Sequence, residues 1–416
     1  MSVGLAGLST AVALARRGHS VLVLESTSEL LHVGAGVALT SATRRWYESE
    51  GVLQPNEEAC VALDGIELRN WATGDLITKT AANPVGKQNA IHHGDLQLAL
   101  LSRAQTLPNI EIQMDARVVD IDIEATSITT SSGEQHTADL IVAADGIRST
   151  IKPYVCPPEA AKAVPTNDAA YRFTLPRQLL ELQSTSDDSS GADQDALLGL
   201  IQRPWASRWD GPGKHVVVYP IRNHQLLNIV LIHPDREDQA EESWTSMADK
   251  SHVTEDFRGW DPRLQKLIEL APQKVPNFRL FVHEVCPAWH KGHTVLLGDA
   301  CHAMLPYLGQ GVAQAVEDAT ALTTVLSLIE SPSQIPLALQ AFETSRKERV
   351  AEIQAATYQA QTKLHLKDAE AQRIRDDDRK AAGQQKQNSD VVQMQQQYWV
   401  WDAAEVAARV LRGLLV

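Results

Sequence analysis

Leu297-Gly298-Asp299-Ala300-Cys301-His302-Ala303-Met304, with Gly309-Gln310-Gly311 just downstream, decides how this chain of 416 residues is read. The apolar run 294–297 has the length and texture of a buried strand and delivers Gly298 and Asp299 at its carboxyl end. That is where open α/β sheets place ligands. A carboxylate there can hold a ribityl or ribose hydroxyl. Gly309-Gln310-Gly311 then opens a helix expected over 311–328, whose first N–H groups, those of Gly311 and Val312 among them, have no partner within the helix and can face an anionic group or an electron-rich ring.

Working outward to the start of the chain, residues 4–17 carry helical apolar spacing and stop at Gly18, and 19–25 reads as a short buried strand ending on Glu25. Helix, glycine, strand and terminal acid form the second half of a βαβ dinucleotide-binding unit. Gly4 and Gly7 of Gly4-Leu5-Ala6-Gly7 match the glycines that admit a pyrophosphate and let helix and strand pack closely, and Glu25 is placed to accept from ribose hydroxyls. Ser2 stands where the first glycine of that turn belongs, and the strand that normally lies ahead of it at the centre of the sheet is not in the sequence. Its absence is expected to leave two unpaired edges in the middle of the domain.

Residues 63–80 alternate around a turn at Thr73-Gly74-Asp75 and read as a hairpin; 95–105 reads as helix, and 110–145 as three apolar runs, the last ending in Asp145-Gly146. From about residue 153 the texture becomes antiparallel. A hairpin spans 215–233, and the Ser, Asp and Gly-rich stretch 184–195 reads as a loop. The chain is helical after 346, then polar and Gln-rich over 367–397, as helix or linker, and ends in an apolar segment with Trp399 and Trp401.

The bulk figures fit a multi-domain globular protein: 44% apolar and 22% charged residues. A net charge of −14 with no basic cluster argues against a nucleic-acid partner. The four cysteines, Cys60, Cys156, Cys286 and Cys301, are far apart, without zinc or dithiol spacing, and read as reduced and structural, so no metal is expected. Arg16 and Arg17 follow the apolar run 3–15 instead of preceding it, unlike a secretory signal, and no apolar run is long enough to span a bilayer. A cytoplasmic location is expected, with peripheral membrane contact left open.

Gly4-Leu5-Ala6-Gly7, Glu25, Asp145-Gly146-Ile147-Arg148-Ser149, and Gly298-Asp299-Ala300-Cys301-His302 through Glu317-Asp318 together resemble the group A flavoprotein monooxygenases of salicylate- and para-hydroxybenzoate-hydroxylase type, and most of all the fungal FAD-dependent monooxygenases of secondary metabolism. The resemblance covers nearly the whole chain. It implies an α/β fold in which a Rossmann-like FAD domain (1–62, 84–160 and 276–345) is interrupted by a mostly antiparallel substrate-binding sheet (63–83 and 161–275), with a C-terminal helical region (346–416). It implies non-covalent FAD, NADPH or NADH as reductant, and O2 captured as a flavin C4a-hydroperoxide that hydroxylates or epoxidises an electron-rich aromatic, polyketide, alkaloid or indole-type small molecule.

By the same resemblance Gly36 and Ala38, within Gly34-Ala35-Gly36-Val37-Ala38, pass beside the flavin ring, and Asp145 serves both FAD and nicotinamide. His93 occupies a position where the family carries an arginine. Arg172 matches the catalytic arginine of fungal relatives, a fixed cation for a phenolate, a carboxylate or an oxygenated intermediate, and Tyr219 adds a hydroxyl to the same pocket. His302 reads as a hydrogen-bonding residue and Cys301 as a small buried thiol. Two alternatives stay open: a flavin-dependent dehydrogenase or halogenase, and a flavin-poor relative without catalysis.

Overall fold

The computed structural model describes residues 3–29, 34–55, 58–82, 86–184, 191–235, 246–384, 398 and 401–415. Its first half is built where the sequence places apolar strands beside glycine-flanked helices. Helix Leu5–Ala15 is buried along nearly its whole length because it lies between the strand it precedes, Val21–Leu24, and helix Gly311–Leu328. Val21–Leu24 pairs in parallel with Ile110–Gln113, and Ile141–Ala143 pairs in parallel with Thr294–Leu296. These two pairs belong to separate sheets, of two and three strands, and no described strand joins them.

The three apolar runs expected over 110–145 are five short strands, because a meander of Val118–Asp122, Ser127–Thr130 and Gln135–Thr137 stands between Ile110–Gln113 and Ile141–Ala143. A further small antiparallel sheet pairs Gly36–Leu39 with Gln88–His92.

The second layer is an eight-stranded sheet in the order Met247–Asp249, Lys274–Val282, Val164–Pro176, Leu226–Pro234, Lys214–Ile221, Trp205–Gly211, Gly65–Arg69, Leu76–Ala81. Every pairing is antiparallel except that between Trp205–Gly211 and Gly65–Arg69. The hairpin of Lys214–Ile221 and Leu226–Pro234 turns through Arg222, Asn223 and His224, all at positive φ. One face of this sheet, with Tyr171, Phe173, Trp209, Val216, Val218, Ile229 and Leu231, is sealed in a core under Leu197, Leu200, Val253, Phe257, Leu264 and Leu267. The opposite face looks toward the first half of the molecule.

Within the stretch read as a loop over 184–195, residues 185–190 lie outside the described residues, and helix Gly191–Gln202 begins already at Gly191. An apolar second half, with Leu197, Leu200 and Ile201 buried, pulls that segment onto the sheet. The polar stretch 367–397 is helical over Ala369–Gln384; Trp399 and the rest of it lie outside the described residues. Helix Ile335–Leu364 runs without a break through position 346. Helix Ala403–Leu415 buries Ala403, Ala407 and Leu411 in the same core as Leu8, Val12 and Leu322. Trp401, just ahead of it, stacks on two guanidinium groups, 4.9 Å from Arg346 and 4.6 Å from Arg349.

The cysteines depart from the reading above. Cys156 and Cys286 form a disulfide, while Cys301 is a buried thiol. A separation of 130 residues gives no signal in the sequence. The pairing arises because Cys156 follows strand Ile141–Ala143 and Cys286 precedes strand Thr294–Leu296, and these strands are neighbours.

Candidate active site

Gly298 adopts φ 55° and ψ −140°, a backbone conformation open to glycine, and a Cβ there would lie 2.9 Å from Cβ of Ala6. The strand can therefore turn directly against the helix that begins after Gly4. The turn is held from behind by Asp318: one carboxylate oxygen accepts from Gly298 N–H at 3.0 Å and contacts His302 Nε2 at 2.7 Å, and the other accepts from Arg346 Nε at 2.9 Å. Burial pushes the Asp318 carboxyl up, but His302, Arg346 and the backbone bond from Gly298 outweigh it and hold it below the usual range. His302 is thus a hydrogen-bonding residue, and Cys301 is buried, its thiol pushed well up by burial.

Asp299 follows the turn and is exposed. Protein packed around its other sides raises its carboxyl, a rise that His302 opposes and Asp318 reinforces. Asp145 ends the neighbouring parallel strand. One of its oxygens accepts from Thr150 N–H at 2.8 Å, while the other, Oδ1, is buried with no partner. Glu25 accepts from Val3 N–H at 2.9 Å and Thr27 N–H at 3.0 Å. Gly4 caps helix Leu5–Ala15, and Gly7 is buried in its first turn. Gly311 starts its helix exposed, with open space where a side chain would be, and Val312 follows half-buried.

The second layer meets this array at Gly36. Asn228 Oδ1 accepts from Gly36 N–H at 2.6 Å, Arg172 Nη2 donates to Gly36 C=O at 2.9 Å, and a Cβ on Gly36 would lie 2.6 Å from the Tyr219 ring. Ala38, two residues on, packs where a Cβ on Gly309 would come within 3.4 Å. Burial lowers the Arg172 guanidinium and raises Tyr219 to about 12, each moderated by the other. Arg172 Nε and Asn228 Nδ2 are buried without a partner. His93 is lowered to about 4 by burial, then by the charges of Arg172 and His92, which keeps it neutral.

Arg172, Tyr219, Gly36 and Ala38 are therefore brought together, with His93 in electrostatic contact. Gly4, Gly7, Asp145, Asp299, Gly311 and Val312 belong to the other half, at the ends of its parallel strands and the starts of helices Leu5–Ala15 and Gly311–Leu328. The sequence reading missed Asn228, although it is the one polar residue in the apolar run Leu226-Leu227-Asn228-Ile229-Val230-Leu231-Ile232.

These features suit FAD. Asp145 Oδ1 is an unsatisfied buried acceptor, Asp299 offers an exposed carboxylate, and Gly311 leaves a helix N-terminus uncovered. The fold and these residues define a flavoprotein of the aromatic-hydroxylase class.

The comparisons agree. Residues 3–357 match the FAD binding domain family. The chain is 63% identical over its full length, and 96% of the relative's, to the FAD-dependent monooxygenase atnJ of an Arthrinium species, and 62% identical, again over 100% of this chain and 96% of the relative, to ntnJ of a Nectria species. The crystal structure of CtdE with FAD and substrate superposes with a TM-score of 0.82 at 23% identity, over 99% of this chain and 97% of that one. The chain belongs to the FAD-dependent monooxygenase family.

Proposed function

We propose that the enzyme hydroxylates or epoxidises an electron-rich aromatic, polyketide or indole-type small molecule in secondary-metabolite biosynthesis, using NADPH or NADH and O2. The observation that carries this reading is the convergence of Arg172, Tyr219 and Asn228 on Gly36, which sets a polar sheet face against the strand that passes the flavin. When bound, FAD supplies the hydride acceptance and the oxygen activation.

The chain's own residues supply position and electrostatics. Gly4 and Gly7 would admit the pyrophosphate, Glu25 would hold the ribose, Asp145 and Asp299 would hold hydroxyls of the ribityl chain, and Gly36, Ala38, Gly311 and Val312 would border the ring. The Arg172 cation stands where an oxyanion of the substrate or of the reacting oxygen would be stabilised. Tyr219, raised to about 12, stays protonated at neutral pH and acts as a donor. Val217 and Val230 lie side by side and half-buried on that face, an apolar floor for a planar ring.

Purified protein is expected to show flavin absorbance, alone or after addition of FAD, and to oxidise NADPH or NADH faster with phenols, indoles or aromatic polyketides. The product should gain one oxygen atom from isotope-labelled O2. Oxidation of substrate without oxygen gain would move the reading to a dehydrogenase, and absence of both flavin and stimulated oxidation would overturn it.

A further inference from the structure

Hydrogen-bond registers order the side of the large sheet that looks toward the first half in rows. Thr174, Asn228 and Tyr219 form one row; Arg172, Val230, Val217 and Arg208 the next; Ala170, Ile232, His215 and Asp210 the third; and Asp168 opens the fourth. His215 therefore stands one row beyond the valine floor, on the side away from Tyr219. It is 3% exposed, and ring contacts pack it against Tyr307 at 5.1 Å and His365 at 5.0 Å.

Three parts of the chain meet there. Asp168 comes from the sheet; Tyr307 from the short 3-10 helix Pro306–Leu308 just ahead of Gly309; Gln361 from the last turn of helix Ile335–Leu364; and His365 directly after it. One Asp168 oxygen accepts from Tyr307 Oη and from Gln361 Nε2 at 2.7 Å, and lies 3.3 Å from His365 Nδ1. His365 Nε2 is 2.7 Å from His215 Nδ1.

Proton positions follow from the charges. Burial raises the Asp168 carboxyl, but the bonds from His365, Tyr307 and Gln361 outweigh this and keep it ionised. An ionised carboxylate facing His365 Nδ1 fixes the proton on that atom. His365 Nε2 is then a lone pair, so the bond of 2.7 Å takes its proton from His215 Nδ1. His215 Nε2 is left as a lone pair; among the described residues the ring's one hydrogen bond runs through Nδ1. Burial chiefly lowers His215 to about 3, so the ring is neutral at physiological pH even with Asp210 and Asp168 nearby. The remaining charges around it, Arg208, Arg375 and Arg379, face Asp210.

We propose that His215 is a specificity residue that accepts a hydrogen bond from a hydroxyl of a phenolic substrate on the valine floor, and that Asp168 and His365 are positioning residues that fix its acceptor tautomer. The inference rests on the monooxygenase reading for the presence of a substrate, but the tautomer chain does not depend on flavin chemistry. A site built to meet a hydroxyl discriminates strongly against an analogue without one, because the acceptor is then covered by the bound molecule and left unpaired.

The test is nitrogen-15 NMR of the full chain labelled at histidine, with His215 and His365 assigned by His215→Gln and His365→Gln. Both rings are expected as the Nδ1–H tautomer, and Asp168→Asn should convert His365 from a single tautomer to a mixture and alter His215 with it. Addition of phenol should move the His215 Nε2 resonance toward that of a hydrogen-bonded nitrogen, with anisole leaving it in place. A proton on His215 Nε2, a His215 tautomer indifferent to Asp168→Asn, or equal or absent responses to phenol and anisole would each overturn the proposal. Failure of the flavin assay with these resonances as expected would count against the monooxygenase reading alone.

Discussion

At the residue scale the decisive contacts surround Gly36. A Cβ there meets the Tyr219 ring at 2.6 Å and its hydroxyl at 2.9 Å. Gly36→Ala is expected to displace Tyr219 and lower kcat/KM by more than about tenfold, roughly the effect of a small misplacement of a catalytic group, while the thermal midpoint moves little. An unchanged kcat/KM would remove the close approach from the account. Asn228→Ala strands the buried Gly36 N–H and should cost about 1–3 kcal/mol, measured as a shift in urea midpoint together with weaker FAD retention. Arg172 and Tyr219 were legible because their motif resemblance and a strong hairpin pattern pointed the same way. Asn228 was not, since an amide in an apolar strand reads as a defect until its partner, 192 residues away, is known.

At the scale of elements, Asp318 ties three of them together: the Gly298 turn, His302 and helix Ile335–Leu364 through Arg346. Asp318→Asn removes the charge opposite a buried guanidinium. Breaking such a pair costs about 3–5 kcal/mol, so the urea midpoint should fall and FAD should dissociate more readily. Glu317→Gln, whose carboxylate is 15% exposed and pairs with Arg346 and Arg349, should cost less, because solvent reaches it and not Asp318. Equal losses from the two would contradict the role given to Asp318. The sequence identified the strand, turn and helix here because glycines and apolar runs set them locally. It could not show the Cys156–Cys286 bond or the start of a helix at Gly191, which depend on strand neighbours and on a tertiary surface.

For the whole molecule, the antiparallel character of the second layer was legible in its alternating patterns, whereas the way the layers meet at Gly36 is a property of their packing. That packing sets the pH response. His93 and His283 are lowered to about 4 and His215 to about 3, in each case chiefly by burial, so their folded values lie below the unfolded value of about 6.5. The unfolded chain then binds more protons below about pH 6.5, and the stability these groups contribute is full above that value and is lost as pH falls toward 4. Glu67 and Glu343, held at about 2 by their cationic partners despite burial, add a second loss below about pH 4.5. Urea midpoints should decline from about pH 6.5, by an amount on the order of 4 kcal/mol at pH 5.5 from the three histidines together. A flat profile over that range would show that these rings are not held neutral.

The central claim is that Asp145, Asp299 and Gly311 bind FAD, which works against the Arg172 and Tyr219 face. Titration of FAD into the purified chain, followed by flavin absorbance, tests it most directly. Saturable binding is predicted, weakened at least about tenfold by Asp299→Ala, the loss expected for one charge-assisted hydrogen bond, and unaffected by a change at the exposed Glu370. No saturable binding, or equal affinity in Asp299→Ala, would contradict the account.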